Sequence, residues 1–512
     1  MILKEYRTNS GEIILYNGTP NFDKLDELSK GTGDIWHSSL DQGYKNAFPE
    51  LVYQTAVFFW YLNDFDDLNE CVSWRVNPNA FAVRKSVWES TKGFDPDFEN
   101  SQMQALDYGF RLNRFLAGVT LYVKDLFPSA AAEKVLISQR DRHLFFRKNY
   151  KRSHAIFMIF RIGFWKISEW KTFFYAQNNY VKRTDTYRIP ARKMNSIEGK
   201  PSVSYIIPTM FRQDYTLQLL EDLVAQNYVP TQVVVVDATP KGVRNELLYE
   251  GIKYPFDLMI KWQETKGSCR ARNEAIAVCT GEYIVFGDDD IRIPPDFIEK
   301  HICFLQTYKA GACNGLDIRA DHHTQDLFNL KDKIAKLDKT RFLVGNAQMF
   351  SNANSCVKKV YVDQLVGNDA NFDGGYGEDS DFGLSLLKIG VTVLNNPFAV
   401  NLHLKPPSGG YRFWGAQSKV LGKKRKIQPW ELDVPVKWIK PVPSPTIMYG
   451  IMKQFTPQQV VEYKYKHFLY YLLDGPKLTF LYRLLRLPYK NIQFKKSLFY
   501  AQKLINLGIR YQ

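Results

Sequence analysis

Cysteine is scarce, with six in 512 residues (Cys71, Cys269, Cys279, Cys303, Cys313 and Cys356), and none forms a CxxC pair or a zinc-finger spacing. That excludes a disulfide framework and a thiolate zinc site, and leaves buried or half-buried free thiols of a reducing compartment. Long apolar runs are missing as well. The N-terminal MILKEYRTNSGEI lacks the apolar core of a signal peptide. The best apolar stretch, AIFMIFRIGFW, is broken by Arg161, well short of the roughly 18 residues a membrane span needs. The expectation is a protein neither secreted nor membrane-spanning. Low hydrophobicity, the mark of disorder, is absent too: 45% of residues are hydrophobic and 15% aromatic. At this length the chain should hold about two to four globular units.

Acidic residues are thin in two segments. Between Arg140 and Lys193 stand 14 basic and 3 acidic residues, and between Leu421 and Gln512 stand 17 and 4. These segments carry more than the whole formal charge of +15, so the rest of the chain is net acidic. Such segments could face a membrane, a nucleic acid or an acidic ligand.

A clear α/β pattern starts at Ser202. VSYIIP (203–208) reads as a buried strand, Tyr215 to Asn227 has helical periodicity, and QVVVVD (232–237) is a second strand. Residues 268–279 read as an amphipathic helix, and EYIVFGDDD (282–290) as a third strand ending in three acids. Alternating strands and helices give a parallel sheet, whose ligands bind at the carboxyl ends of the strands. Asp237 and Asp288–Asp290 lie at such ends.

The N-terminal part contains a weaker echo. NPNAFAVRKSVWESTKGFDPDF (77–98) resembles GNAQMFSNANSCVKKVYVDQLVGNDANF (345–372). Asp107 precedes Gly118 by 11 residues, as Asp379 precedes Gly390, and VTLYV (119–123) and VTVLN (391–395) follow. The repeat covers only the second half of the unit. The first copy has no counterpart of the strands at 203–208 and 232–237, and Leu106 stands where the second has Glu378. Four parts result: 1–126, a truncated copy; 127–200, a basic, mostly helical linker; 201–415, the complete unit; and 416–512, a basic amphipathic helical extension. In the last, Leu478, Leu481, Tyr482 and Leu485 share one helical face, and Phe494, Leu498, Ala501 and Ile505 another.

Three constellations carry chemistry. Asp288 and Asp290, two apart beyond a strand end, point the same way, which suits a divalent cation and a ribose or second metal oxygen. GEDSD (377–381) opens a helix, either as a helix-terminal charge favoured by the macrodipole or as a carboxylate base beside a substrate hydroxyl. His403 is a lone histidine, structural or ligating. Arg270 and Arg272, on the helix before the acidic strand, would suit a bound diphosphate or a surface ion pair.

IIPTMFR (206–212), VVVVDATP (233–240), RARNEAIAVCTGEYIVFGDDD (270–290), GEDSDFGLSLLKIG (377–390) and His403 together resemble family 2 glycosyltransferases, inverting enzymes with the Rossmann-like α/β GT-A fold. The resemblance implies that Pro208 and Thr209 line the nucleotide pocket, that Asp237 contacts the base, and that Arg272 faces the nucleotide. It makes Asp288 and Asp290 the DXD pair around Asp289, with Asp288 and Asp289 binding the nucleotide-sugar and Asp290 nearest a Mg2+ or Mn2+ that Asp288 and His403 also ligate. Asp379 becomes the catalytic base and Glu378 its neighbour. The implied reaction moves a sugar from a nucleotide-sugar, UDP-linked, to a hydroxyl of a glycan or lipid-linked acceptor in surface polysaccharide biosynthesis. RFW (412–414) lacks the Gln of the processive members' QxxRW motif, which favours single addition. Asp64 and Asp66 are a poor DXD for the first copy, which is expected not to be an independent transferase.

Two other readings stand beside this one. A nucleotidyltransferase would carry a glycine-rich, Lys-containing loop after its first strand, where this chain has TMFRQD. A membrane-docked scaffold on a dead transferase would not need the intact acids. The basic segments fit a cytoplasmic enzyme peripheral on the inner face of the membrane, against anionic lipid; the alternative is helices that merely cover the core with solvated charge. No nucleic-acid partner is expected.

Overall fold

Four consecutive valines, Val233–Val236, cannot share one helical stripe but suit a strand buried on both faces, and that is where they lie. The computed structural model describes residues 2–38, 67–128, 137–184, 187–263, 267–347, 349–411, 439–473 and 476–511. Asp64, Asp66, the RFW motif and the basic KKRK run (423–426) fall outside them.

The N-terminal sheet is built from β1 (Lys4–Arg7), β2 (Ile13–Asn17), β3 (Ile35–His37), β4 (Glu70–Val72), β5 (Phe81–Arg84) and β6 (Thr120–Val123), in the order β1-β2-β5-β3-β6-β4. The second sheet contains β7 (Val203–Thr209), β8 (Gln232–Asp237), β9 (Asp257–Trp262), β10 (Tyr283–Gly287), β11 (Ile291–Arg292), β12 (Ala312–Arg319), β13 (Asn354–Lys358) and β14 (Val393–His403). Its order is β11-β14-β12-β13-β10-β7-β8-β9. Strands β10, β7, β8 and β9 are parallel, so their carboxyl ends share one edge. The helices Gln213–Val224 and Ser268–Ile276 connect them, each slightly shorter than its apolar periodicity.

The two sheets share a succession of pairings. β2–β5, β5–β3, β3–β6 and β6–β4 run antiparallel, antiparallel, parallel, antiparallel. So do β10–β13, β13–β12, β12–β14 and β14–β11. In both, a short helix follows the strand at once (Lys85–Ser90, Lys359–Leu365), and a longer one precedes the last parallel strand (Ser101–Phe115, Glu378–Lys388). Among the described residues, the parallel strands β8 and β9 have no counterpart in the first sheet.

Between the two sheets in sequence come the helices Gln139–Asn149, Arg152–Gly163 and Ile167–Asn179. The described residues from 180 to 200 form no helix. Pro190 holds Ile189 extended. The backbone donors nearby bond across to other elements: Ile189 N to Leu116 O at 2.8 Å, and Arg192 N to the Tyr308 hydroxyl at 2.8 Å.

The C-terminal helices Pro445–Gln454, Pro457–Leu473, Phe480–Leu485 and Leu487–Leu507 divide by face. Phe494 and Ala501 are buried in one cluster with Phe372, Phe382, Met448 and Tyr449. Lys453 Nζ bonds Asp369 at 2.9 Å and Asp381 at 2.8 Å, which ties the helix Pro445–Gln454 to the helix Glu378–Lys388. Leu478, Leu481, Tyr482 and Leu485 stay exposed. Among the described residues no helix is long and apolar enough to cross a membrane. All six cysteines are buried thiols.

Candidate active site

The carboxyl edge of the parallel strands opens into a cleft of about 950 Å³. Pro208, Arg272, Asp288, Asp289, Asp290, Glu378, Asp379 and His403 all line it. Thr209 and Asp237, opposite each other at the ends of β7 and β8, are fully buried and do not.

Strand β10 stops at Gly287, and the three acids that follow diverge. Asp288 Oδ1 accepts from Arg272 Nη2 at 2.6 Å. Asp289 turns inward, accepting from Thr209 Oγ1 at 2.7 Å and from Arg212 Nη1 at 3.1 Å. Thr209 thus acts on the cleft through Asp289. Asp290 Oδ2 accepts from the same Arg212 Nη1 at 2.8 Å, and its other oxygen lies 3.3 Å from His403 Nε2. The second imidazole nitrogen of His403, Nδ1, is 3.2 Å from Asp317 Oδ1.

Burial, with the charge of Asp290 added, pushes Asp289 up to about 7 despite the opposing Arg212. Asp290 is buried as well, but its hydrogen bond and charge attraction with His403, with Arg212 added, outweigh that and hold it below the usual carboxylate range. His403 is raised well above its ordinary value: desolvation opposes the charge, and the bonds to Asp290 and Asp317 overcome it.

Asp288, Asp290 and His403 each bring a ligand atom within 4.8 Å of the other two. Two carboxylate oxygens and an imidazole nitrogen suit a divalent cation, with room left in its coordination shell. Asp317 on the second nitrogen fixes the ring, as metal-bound histidines commonly require. Arg272 is 5% exposed, and its Nε and Nη1 have no partner among the described residues. Buried, unpaired guanidinium donors on the wall of a cleft suit an anionic ligand.

Across the cleft, Gly377 (φ 106°) makes the turn into the helix Glu378–Lys388. Only glycine adopts that backbone readily. Glu378, Asp379 and Asp381 then occupy the first turn, where the helix dipole favours them. Asp379 Oδ1 accepts from Asn352 Nδ2 at 2.6 Å. Burial pushes it up to about 6, with the charge of Asp288 adding and Arg272 opposing. Such a carboxyl is poised to exchange a proton near neutral pH.

Two expected positions sit elsewhere. Asp237 accepts from Thr239 N at 2.8 Å and from the Tyr249 hydroxyl at 3.4 Å, and burial raises it. Arg270 Nε faces Asp373 Oδ2 at 3.6 Å. Arg212, Asp317 and Asn352 are functional candidates that motif spacing did not single out. In the N-terminal part Asp107 is fully buried, bonded by Arg183 Nη2 at 3.0 Å and Asn149 Nδ2 at 2.8 Å.

Residues 204–365 match the sequence profile of the family described as Glycosyl transferase family 2. The protein named as teichuronic acid biosynthesis glycosyltransferase TuaG, of Bacillus subtilis, is 26% identical over 107 residues, 21% of this chain and 42% of its own length. The one named as colanic acid biosynthesis glycosyl transferase WcaA, of Escherichia coli, is 27% identical over 111 residues, 22% of this chain and 40% of its own. The matches therefore span about two-fifths of these relatives. Among solved structures, residues 1–349 of TarS from S. aureus, in complex with UDP-GlcNAc, align at a TM-score of 0.36 and 14% identity over 61% of this chain and 93% of that one, a likeness too distant to bear on the chemistry. The α/β architecture agrees with the GT-A class that the motifs imply. Residues 204–365 are a family 2 glycosyltransferase domain.

Proposed function

We propose that this chain transfers a sugar from a nucleotide-sugar, UDP-linked, to a hydroxyl of a glycan or lipid-linked acceptor, with inversion at the anomeric carbon, during assembly of a surface polysaccharide. The observation that carries the reading is the gathering of Asp288, Asp290 and His403 in one cleft with Asp379. The biosynthetic setting draws on the names of TuaG and WcaA.

Asp288, Asp290 and His403 would hold a divalent cation, and the imidazole nitrogen favours Mn2+ over the all-oxygen preference of Mg2+. When bound, that cation supplies electrostatic stabilisation of the departing diphosphate. Arg272 offers its unpaired donors to the same charge, and Pro208 borders the nucleotide. Asp379 takes the proton of the acceptor hydroxyl as that oxygen bonds to the anomeric carbon and the carbon–phosphate oxygen bond breaks. Glu378, its neighbour in the first turn, lines the same cleft, and the charge of Asp288 adds to the field that keeps Asp379 basic. Asp237, being buried, would touch the base only if its cover of Tyr249 moved. The N-terminal sheet is a degenerate second copy, a reading that its shared succession of strand pairings supports. A nucleotidyltransferase is disfavoured by the TMFRQD turn after β7, which has no glycine to cradle phosphates.

The basic segments support docking of the enzyme on the cytoplasmic face of an anionic membrane. They lie far apart in sequence but meet: Arg161 bonds Glu462 through Nε at 2.7 Å and Nη2 at 2.6 Å, and stacks 4.1 Å over Tyr465. Around them Phe160, Phe164, Trp165 (70%) and Leu485 (81%) are exposed, a mixture of basic and apolar groups that suits a lipid interface.

A panel of UDP-, GDP- and dTDP-sugars tests the transferase. Release of nucleoside diphosphate from one of them, dependent on Mn2+ or Mg2+ and abolished by EDTA, is expected. Absence of release from the whole panel, or release untouched by EDTA, would overturn the reading.

A further inference from the structure

One wall of the cleft belongs to the N-terminal half. Asn113 and Phe115, at the end of the helix Ser101–Phe115, line it together with Asn314 of β12 and Asn346. The three carboxamides are almost wholly enclosed: Asn113 is 3% exposed, Asn346 5% and Asn314 8%. Each keeps one polar atom without a partner among the described residues, Nδ2 of Asn113 and Oδ1 of Asn314 and of Asn346. A buried polar atom left unpaired costs on the order of 1–3 kcal/mol. Three around one cavity are therefore unexplained by folding alone.

Their remaining atoms are fixed. Asn346 Nδ2 donates to Asn113 Oδ1 at 2.8 Å, and that oxygen also accepts from Thr120 N at 2.9 Å. Asn314 Nδ2 donates to Gly315 O at 3.2 Å. The first bond joins the two halves of the chain, and a close backbone approach accompanies it. A Cβ on Gly345, whose φ is +109°, would lie 2.9 Å from the backbone of Ala117. The wall is thus built jointly and held in place.

We infer that Asn113, Asn314 and Asn346 form a subsite for the hydroxyls of one sugar ring of the acceptor, so that the degenerate copy completes the active site instead of standing beside it. The assignment to the acceptor rests on the transferase reading. One unpaired N–H donor and two unpaired oxygen acceptors, all neutral, match sugar hydroxyls, which both donate and accept; an ionic ligand would call for charge. Phe115 offers an apolar face against which the C–H face of a pyranose can lie. The donor's phosphates have their own partners on other elements, in Arg272 and in the cation that Asp288, Asp290 and His403 would hold.

Saturation-transfer NMR on the full chain tests this, with UDP and Mn2+ present and three probes: methyl α-D-glucopyranoside, methyl β-D-galactopyranoside and methyl N-acetyl-β-D-glucosaminide. At least one glycoside should bind, and its affinity should fall about tenfold in Asn113→Ala and in Asn314→Ala. UDP affinity should move by less than about twofold. Asn314→Ala guards against misfolding, because among the described residues its side chain bonds only Gly315. The inference is overturned if no glycoside binds, or if both variants bind as the wild type does. It is also overturned if UDP-glucose or UDP-N-acetylglucosamine displaces the glycoside where UDP does not, since the ring then occupies the donor's sugar site. Failure of the transferase reading appears separately, as nucleotide-sugars that are never turned over while glycoside binding is still measured.

Discussion

Replacing Asp379 with Asn should make the protein more stable and nearly inactive at once. In the folded chain this carboxyl is raised from the ordinary 3.8 to about 6 because burial disfavours its charge. An acid whose folded value is raised binds its proton more tightly in the native state than in the unfolded one. Native stability is therefore lost as pH climbs from about 4 through about 6, and it stays lost above. At 1.36 kcal/mol per pH unit the loss is about 3 kcal/mol. Because the carboxylate is only partly buried and solvent screens it, ~1–2 kcal/mol is the expectation. Asn keeps the oxygen that accepts from Asn352 Nδ2 but never ionises. In EDTA, the denaturant midpoint of Asp379→Asn should exceed that of the wild type at pH 8, and the two should converge at pH 4. Transfer at pH 8 should fall by about 10²- to 10⁴-fold, the range for loss of a general base. Below pH 6 the wild-type rate should decline as the base takes up its proton, while the residual rate of the variant shows no such limb. A variant that transfers normally, or whose stability difference does not change with pH, would refute the assignment.

Asp317→Asn should weaken cation binding indirectly: Asp317 holds the far nitrogen of His403 at 3.2 Å, and loss of such a partner typically lowers metal affinity 10- to 100-fold. The Mn2+ concentration at half-maximal nucleotide release would read this, with His403→Ala giving the larger shift. Trp165→Ala combined with Leu481→Asp should lower co-sedimentation with phosphatidylserine vesicles while leaving binding to neutral vesicles low and unchanged. Equal sedimentation with anionic vesicles would sink the docking proposal. Deletion of residues after about 420 is a blunter test, because Phe494 and Ala501 belong to the core and their loss should also unfold the catalytic unit.

Strands β7, β8 and β10 were legible because they are buried apolar runs, the last two running into acids, whereas β9, half-buried and carrying Lys261, gave no such signal. What sequence alone could not show was which strand-end side chains reach the cleft. Thr209 and Asp237 sit at equivalent strand ends to the acids yet are covered, Asp237 by Tyr249 from a later loop. Arg212 follows the PTMF segment without any spacing that marks it, and its role depends on two carboxylates some 77 and 78 residues away. Asp317 is an ordinary strand residue until β12 and β14 pair in parallel and bring it beside His403. Asn113 lies 233 residues from Asn346, so nothing local signals their bond. The C-terminal segment read as a separate amphipathic extension because charge dominates its composition. The structure divides it instead, one face packed into the catalytic core and the other exposed.

The central claim is that Asp288, Asp290 and His403 hold a divalent cation against a nucleoside diphosphate. Calorimetric titration of UDP and GDP, with and without Mn2+, tests it most directly, on the wild type and on Asp290→Asn. One nucleotide should bind the wild type only when the cation is present, and Asp290→Asn should lose that binding. Binding of equal strength in EDTA, or cation-dependent binding that survives Asp290→Asn, would contradict the account.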